Sequence, residues 1–231
     1  MLSSNKIEAV AIDGPAGSGK STISRMVADK LGYIYVDTGA MYRALTLKVM
    51  RGNVDMFDED AVALLSDNID FRFEKPALEG QGARVMLDGR DVTEDIRLMD
   101  VTRNVKHVCG IPRVRENMVR LQRKMVAGSG GSVMEGRDIT TVVLPDARHK
   151  FYLDAAFDER VDRRFAEMRA KGGDVTREEV ADDLRERDAS DMTREVGPLK
   201  KANDAVIVDT TGLSIDEVVL LIVEHVKSTA G

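Results

Sequence analysis

The sequence has few of the residues on which several classes of protein depend. Its 231 residues include one cysteine, Cys109, three histidines and no tryptophan. A single cysteine allows neither an intramolecular disulfide nor a cysteine-based metal centre, and it favours a reducing compartment. The histidines, at positions 107, 149 and 225, form neither a nucleophilic triad nor a metal-ligand spacing. We therefore expect no catalysis by a triad or by a histidine-bound metal.

Long apolar runs and an excess of positive charge are also lacking. No run approaches the ~20 apolar residues that a membrane-spanning helix needs, and residues 1–6 contain no apolar signal core. The net charge of −6 creates no basic field for a nucleic-acid polymer. We expect a cytoplasmic monomer, folded as one domain over residues 1–231 and without membrane or nucleic-acid partners.

A glycine-rich stretch near the N-terminus matches the pattern G-x-x-x-x-G-K-[S/T] at every fixed position. It comprises Gly14, Pro15, Ala16, Gly17, Ser18, Gly19, Lys20 and Ser21. In such a loop backbone N–H groups converge on phosphate oxygens, the lysine adds charge at the β- and γ-phosphates, and the serine hydroxyl ligates Mg²⁺. We predict that these residues, with Thr22, bind a nucleoside triphosphate and that Ser21 contacts its Mg²⁺.

The flanks of this loop match the secondary structure that the pattern requires. An apolar run of strand length covers residues 7–12, and apolar residues then recur at helical spacing up to Gly32. A helix that starts directly after the loop directs its positive dipole end at the phosphates.

Further strands alternate with helices along the chain. Short apolar runs predict strands at residues 33–36, 132–135, 150–153 and 205–208. Asp154 is placed to cap the helix that follows, and Ser214 with Glu217 forms a capping box for the last helix. The alternation predicts a three-layer α/β fold of the P-loop NTPase type, with a five-stranded parallel sheet.

Two segments depart from this alternation. Residues 69–95 alternate apolar and charged side chains around a loop at Gly80-Gln81-Gly82 and a hairpin signal, Asp88-Gly89, which predicts a small antiparallel insert. Residues 157–195 form a helical, arginine-rich segment, interrupted at Gly172-Gly173, which we interpret as a lid. Its two arginine-rich helices give little reason to expect packing against one another without nucleotide.

Arginine predominates among the basic residues of the lid segment, which holds eight arginines and only Lys171 between residues 160 and 194. Its helices could instead be solvated elements with ion pairs along the surface. A phosphate acceptor, already anionic near neutral pH, would need positioning and charge neutralisation rather than a strong base. A phosphate loop, Mg²⁺ and many arginines suit such a reaction.

Several separated motifs resemble those of the bacterial-type cytidylate kinases, a family of P-loop nucleoside monophosphate kinases. They are the phosphate loop with Asp13, residues 37–43 (DTGAMYR), residues 112–116 (PRVRE), residues 136–138 (GRD), and Glu186-Arg187-Asp188 with Asp191 and Arg194. The resemblance runs from the phosphate loop to the last helix, and it implies that the insert at residues 69–95 lies on the side that binds the nucleoside monophosphate. It implies transfer of the γ-phosphoryl group of ATP to CMP or dCMP.

The resemblance also implies roles for individual residues. Arg43, Arg137 and Arg194 would hold the acceptor phosphate beside Thr38, while Arg115 and Asp138 would read the cytosine. Arg187 and Asp191 would meet the sugar, and Arg163 and Arg164 would belong to the lid. The remaining substrate-binding candidates are Asp37, Tyr42 and Lys106; the catalytic candidates are Lys20, Arg137, Arg194, Arg163 and Arg164. Lys106 departs from the family, which commonly has a small hydroxyl residue there.

Two other functions remain open at this point. The scaffold could serve a kinase for UMP or for a non-nucleotide acceptor such as a hydroxy acid. A nucleotide-dependent switch is the other alternative. The Asn-Lys-x-Asp signature that reads guanine is absent, because Asn5-Lys6-Ile7-Glu8 precedes the loop and ends in Glu. Asp209 to Gly212 matches Asp-x-x-Gly but comes too late in the chain for a switch.

Overall fold

The computed structural model describes residues 7–74, 83–170 and 172–229. The strands are β1 (Ile7–Asp13), β2 (Ile34–Asp37), β3 (Phe71–Glu74), β4 (Arg84–Leu87), β5 (Arg90–Asp91), β6 (Ser132–Gly136), β7 (Ala147–Asp154) and β8 (Val206–Asp209). The α-helices are α1 (Lys20–Leu31), α2 (Thr38–Arg51), α3 (Glu59–Asp67), α4 (Met99–Cys109), α5 (Pro112–Val126), α6 (Phe157–Ala170), α7 (Arg177–Thr193) and α8 (Ile215–Ser228). A 3₁₀ turn covers Asp95–Arg97 and a π-helical turn covers Ile139–Val143.

The larger sheet has five strands in the order β2-β6-β1-β7-β8, which confirms the predicted five-stranded α/β architecture. β1 lies at its centre and pairs in parallel with β6 and with β7, and β7 pairs in parallel with β8. The registers place Asp13 opposite Gly136 on one side and Tyr152 on the other. The carboxyl ends of the three central strands, where open α/β sheets bind ligands, therefore lie side by side.

An apolar core joins this sheet to α1 and α8. It includes Val10 and Ile12 of β1, Ile23 and Val27 of α1, and a row of apolar side chains on α8. The predicted capping box of α8 is confirmed, since Ser214 and Glu217 satisfy each other's backbone N–H groups. The core holds the helix of the phosphate loop against the central strand.

The predicted cap at Asp154 is wrong. That residue ends β7, and its carboxylate accepts a hydrogen bond from the adjacent Ala155 N–H at 3.0 Å, whereas α6 begins only at Phe157. Asp154 also pairs with Lys201 at 3.1 Å. The strand extends to Asp154 because the end of β7 pairs in parallel with β8, where Asp154 lies opposite Asp209.

The expectation that α6 and α7 would not pack together is also wrong. Val161 of α6 and Val180, Ala181 and Leu184 of α7 form a small buried cluster that includes Ala16 of the phosphate loop. These apolar positions are sparse among the charges, and their burial stabilises the pair without nucleotide. The interruption between the helices is confirmed, because α6 ends at Ala170 and Gly172 has a φ of 79°.

The small antiparallel sheet that the sequence predicts is present, with the strand order β3-β4-β5. Asp88 and Gly89 both have positive φ, 48° and 77°, as the two central residues of a type I′ hairpin turn require. The predicted loop at 80–82 lies outside the described residues. In the same part of the chain α2 packs against α3 and α4.

The chain forms two compact units, one made of residues up to Tyr35 and from Val126 onward, the other of Val36–Met125. The first unit contains the phosphate loop, and the second contains the antiparallel sheet. The predicted division into one domain with an insert at 69–95 and a lid at 157–195 stays a prediction. Within the described part of the chain, no helix combines the length and the apolar character needed to cross a membrane.

Candidate active site

The phosphate loop has a backbone that its glycines make possible. Gly14 has a φ of 154°, and a Cβ added there would lie 2.1 Å from the Leu153 carbonyl oxygen of β7. Gly17 has a φ of 79°, and a Cβ there would meet the backbone of Arg160 at 3.0 Å. The loop can therefore lie directly on β7 and α6 only with glycine at both positions.

Lys20 is the first residue of α1, and its side chain bends back over the loop. Its ammonium Nζ donates to the Pro15 carbonyl oxygen at 2.6 Å, and only 5% of the residue is exposed. Burial, followed by the charges of Arg137 and Arg187, holds the pKa of Lys20 well below its ordinary value, although Glu135 and Asp191 oppose the shift. Lys20 thus shares one electrostatic environment with residues predicted to bind the acceptor.

A second group of charges follows β6. Arg137 Nε donates to Asp191 Oδ2 at 2.6 Å, and Arg194 lies 3.7 Å from both Asp191 and Asp138. Burial opposes both charges of the Arg137–Asp191 pair, but their mutual attraction and hydrogen bond prevail, so the pKa of Arg137 is raised and that of Asp191 is lowered. The four side chains are at most 17% exposed. They form a preorganised cluster of two cations and two anions.

The arginines of α6 contact different parts of the first unit, to which α6 itself belongs. Arg163 donates to the Thr210 hydroxyl and carbonyl oxygens, at 2.9 and 2.8 Å, at the end of β8. Arg164 pairs with Glu167 of the same helix at 2.8 Å. Arg160, which we did not assign to the site from the sequence, donates to the Ala16 carbonyl oxygen of the phosphate loop at 2.9 Å.

Asp13 is a second residue whose place in the site the sequence analysis missed. Its fully buried carboxylate accepts hydrogen bonds from Ile139 N and Thr140 N at 2.9 and 2.8 Å and from the Thr140 hydroxyl at 2.6 Å. Burial raises the pKa of Asp13 despite these bonds. The sequence did contain a signal for this role. A carboxylate at the end of an apolar strand is expected to be buried and therefore to need hydrogen-bond donors.

Asp13 connects the phosphate loop to the residues after β6. It directly precedes Gly14, and the π-helical turn that it anchors directly follows Arg137 and Asp138. Such turns recur at functional sites. The two ends of the site in the first unit are therefore joined through one buried carboxylate.

The other predicted acceptor residues lie in the second unit. Asp37 caps α2 by accepting from Ala40 N at 2.8 Å and pairs with Arg43 at 3.1 Å. Arg115 is 2% exposed, with its guanidinium 5.6 Å from the centre of the Tyr42 ring. Thr38 is buried at the start of α2, and Lys106 is exposed on α4.

The structure thus places the predicted site residues in two groups. The first unit holds the phosphate loop with Thr22, Arg137, Asp138, Arg163, Arg164, Arg187, Asp191 and Arg194. The second holds Asp37, Thr38, Tyr42, Arg43, Lys106 and Arg115. Roles within each group stay predictions.

A phosphate loop after the central strand of a parallel sheet, with its lysine at the start of the following helix, defines the class of P-loop nucleotide-binding proteins. Comparison with known proteins narrows that class. A family model described as cytidylate kinase matches residues 10–228. The chain belongs to the cytidylate kinase family and is therefore a phosphotransferase.

Relatives named cytidylate kinase match nearly the whole chain. That of Carboxydothermus hydrogenoformans is 47% identical over 215 residues, which cover 93% of this chain and 95% of that protein. That of Desulforamulus reducens is 49% identical over 218 residues, which cover 94% and 96%. A crystal structure of an uncharacterized protein from Eubacterium ventriosum aligns with a TM-score of 0.50 and 12% identity over 95% of this chain and 98% of that chain. That likeness concerns the fold alone.

Proposed function

We propose that the protein transfers the γ-phosphoryl group of ATP to CMP or dCMP and releases ADP with CDP or dCDP. One observation carries the proposal. The register of β1 and β6 sets Asp13 opposite Gly136, so the phosphate loop with Lys20 and the cluster around Arg137 begin side by side at the carboxyl ends of these strands, with charges for a donor and for an acceptor phosphate. Two anionic groups brought together for phosphoryl transfer need this arrangement. Membership of a kinase family supports ATP as the donor.

The donor side is the phosphate loop with the start of α1. Backbone N–H groups of the loop and the dipole of α1 hold the phosphates, and Lys20 supplies charge to the group in transfer. For this, its Nζ leaves the Pro15 carbonyl oxygen and turns toward the phosphate, whose negative charge opposes the lowering of the Lys20 pKa by burial and by Arg137. An anionic phosphate beside an ammonium favours the charged form.

The residues present fit a Mg²⁺ ion that reaches the site with ATP. The described residues contain no group of three or more His, Cys, Asp or Glu side chains suited to a metal ion, and Ser21 is exposed at the first turn of α1. A Mg²⁺ held mainly by phosphate oxygens and water needs only one or two protein ligands. Ser21 would supply one. When bound, the ion neutralises charge on the phosphates.

The acceptor side in the first unit is the Arg137 cluster. Arg137 and Arg194 neutralise the acceptor phosphate, and Asp191 with Arg187 contacts the sugar. The acceptor oxygen is already anionic, so positioning and charge neutralisation replace a general base. Asp138, 5% exposed, accepts from the cytosine 4-amino group.

Residues of the second unit complete the proposal. Arg43 would contact the acceptor phosphate beside Thr38, and Arg115 would contact cytosine. Asp37 and Tyr42 already hold Arg43 and Arg115 respectively, through an ion pair and a cation–π contact. Lys106, exposed on α4, would donate to the cytosine O2. Arg163 and Arg164 would cover the ATP phosphates from α6.

The test is a coupled assay of ADP release with CMP, dCMP, UMP, AMP and GMP as acceptors. We expect kcat/KM for CMP to exceed that for UMP by about 10²-fold, because a pocket with a buried acceptor rejects a base that offers a second acceptor. A preparation of Lys20→Ala serves as the control for contaminating kinases. The proposal would be contradicted if ADP were released at equal rates with all five acceptors, or if no acceptor stimulated ADP release.

We further propose that the enzyme acts as a monomer in the cytoplasm. The single cysteine is typical of a reducing compartment, and the proposal assigns a role to no residue of a second copy. Light scattering at micromolar concentration, with and without ATP and CMP, checks the first statement. A dimer whose dissociation abolishes activity would contradict it.

A further inference from the structure

Arg160 connects three elements of the first unit. Its Nη1 donates to the Ala16 carbonyl oxygen of the phosphate loop at 2.9 Å, and its Nη2 lies 2.7 Å from Asp188 Oδ2 on α7. The guanidinium also lies over the Phe157 ring, 5.3 Å from its centre. The side chains of Arg160 and Asp188 are 8% and 13% exposed. A forked, buried cation therefore holds the loop and α7 at fixed places.

The bond to Ala16 fixes the orientation of a peptide group in the loop. In a planar trans peptide the C=O of one residue and the N–H of the next point in opposite directions. With the Ala16 carbonyl turned toward Arg160, the N–H of Gly17 is turned away from α6. A flipped peptide would present a carbonyl oxygen where an anion needs a donor.

The backbone of Arg160 reinforces this orientation. A Cβ on Gly17 would lie 3.0 Å from the Arg160 carbonyl oxygen and 3.1 Å from its Cβ, so the loop lies directly on α6. Ala16 packs into the apolar cluster with Val161 and Leu184. Arg160 thus contacts the loop through its side chain and through its backbone.

We propose that Arg160 is a positioning residue for the phosphate loop, which holds the Gly17 N–H toward the donor phosphates and couples that orientation to α7. This inference rests on the proposed function only in identifying the bound nucleotide as ATP. Asp188 lies directly after Arg187 and one turn before Asp191, both assigned to the acceptor. The same pair of bonds therefore links the donor loop to an acceptor helix.

The test is the affinity for ATP and for ADP, measured by titration calorimetry. Arg160→Met removes the two forked bonds but keeps an unbranched side chain over Phe157. We expect the Kd of ATP to rise about tenfold or more, as loss of a buried, charge-assisted bond predicts. The matched control is Arg185→Met, because Arg185 also lies over Phe157, at 5.1 Å, but pairs with the exposed Asp182. Its Kd should equal that of the wild type.

A double variant separates loop positioning from the stability of the ion pair. Arg160→Met leaves Asp188 as a buried, unpaired charge, so the single variant is expected to lose stability as well. Arg160→Met with Asp188→Leu removes both charges and should recover much of the Tm, while the weakened ATP binding remains. Hydrogen exchange of the loop should be faster in both variants than in Arg185→Met.

Three results would overturn the proposal. They are wild-type ATP affinity in Arg160→Met, restored affinity in the double variant once its Tm recovers, and equal weakening in Arg185→Met. If Arg160→Met folds neither alone nor with Asp188→Leu, the ATP affinity of Arg160→Lys tests the proposal instead. The lysine ammonium can keep the charge for Asp188 but lacks the fork that reaches both Asp188 and Ala16. Wild-type ATP affinity in that variant would also overturn it. Since these titrations contain no CMP, their outcome is independent of the acceptor assay.

Discussion

The phosphate loop and the arginine cluster of Arg137, Arg194 and Asp191 are the two regions that we propose to bind phosphate groups, and their conformations are held by different means. In the loop, consecutive residues are shaped by glycines that allow contact with β7 and α6. In the arginine cluster, guanidinium groups are held by carboxylates distant in the chain, as Arg137 after β6 is held by Asp191 of α7, 54 residues away. The loop depends on backbone space, and the arginine cluster depends on long-range charge pairing. Different substitutions should therefore disable them.

The largest expected effect is at the loop. Lys20→Ala removes the buried ammonium from the group in transfer and should lower kcat by about 10²-fold or more, as loss of one preorganised electrostatic donor does. Steady-state ADP release checks it. Lys30→Ala is the control, because Lys30 is an exposed lysine of the same helix and should leave kcat unchanged. A loss confined to KM for ATP would contradict the assignment.

A substitution in the arginine cluster should lower activity less than Lys20→Ala does. Asp191→Asn removes the charge that holds Arg137 and Arg194, so kcat/KM for CMP should fall about tenfold, the effect of breaking a buried, charge-assisted bond. Asp182→Asn, on the same helix but in an exposed pair, is the control. An unchanged acceptor KM and kcat in Asp191→Asn would remove the cluster from the acceptor site.

The pH dependence of stability sharpens this comparison. The pKa of Asp191 is lowered in the folded protein, so its pairing contributes stability that is complete above the ordinary carboxyl value, about 4, and disappears as pH falls through the folded value. The difference in unfolding free energy between wild type and Asp191→Asn should therefore be constant from pH 6 to 7 and should shrink below about pH 4. Asp13, whose pKa is raised, is common to both proteins and cancels in the difference. A difference that persists unchanged to low pH would contradict the pairing.

The same contrast explains how much the sequence predicts. The loop, its strand and its helix follow from local pattern, and all three are present as expected. The capping box at Ser214 follows equally from adjacent residues. The prediction of Asp154 as a cap was wrong because parallel pairing with β8 extends β7 to Asp154, which is a tertiary effect.

Contacts between residues that are distant in the chain could not be predicted from the local sequence pattern. Arg160, Arg163 and Arg164 have i, i+3, i+4 spacing and so lie on one face of α6, yet their side chains bind the loop, the end of β8 and their own helix respectively. The apolar cluster of Val161 and Leu184 likewise involves few residues on two helices that are rich in charged side chains, so the sequence pattern did not reveal it. Periodicity identifies a face but not its partner.

Asp13 connects the phosphate loop to the arginine cluster. Removing one of the hydrogen bonds to its carboxylate should change the kinetics less than the substitutions above. Thr140→Val removes the hydroxyl that donates at 2.6 Å but retains both backbone donors, so KM for CMP should rise about fivefold, as loss of one buried hydrogen bond predicts. Thr141→Val is matched, because the Thr141 hydroxyl is buried without a partner among the described residues. Equal changes in the two variants would show that Asp13 does not position Arg137 and Asp138.

The smallest expected effect concerns motion of the helix pair. The first turn of α6 is held by Arg160, so ordering by ligands should be confined to its distal half and to residues 172–176. Hydrogen exchange there should slow severalfold when both substrates are present, while the peptide around Arg160 changes little. Equal protection of the whole segment with and without substrates would contradict a lid at 157–195.

Selection of cytosine by the acceptor site is the central claim, and the CMP to UMP ratio of Asp138→Asn tests it most directly. Asp138 only accepts hydrogen bonds, whereas an asparagine amide can turn either its carbonyl oxygen or its NH₂ toward the base. The account predicts that kcat/KM for CMP falls and that the ratio narrows from about 10² toward unity. A ratio equal to that of the wild type, at a lower overall rate, would contradict it and assign base selection to Arg115.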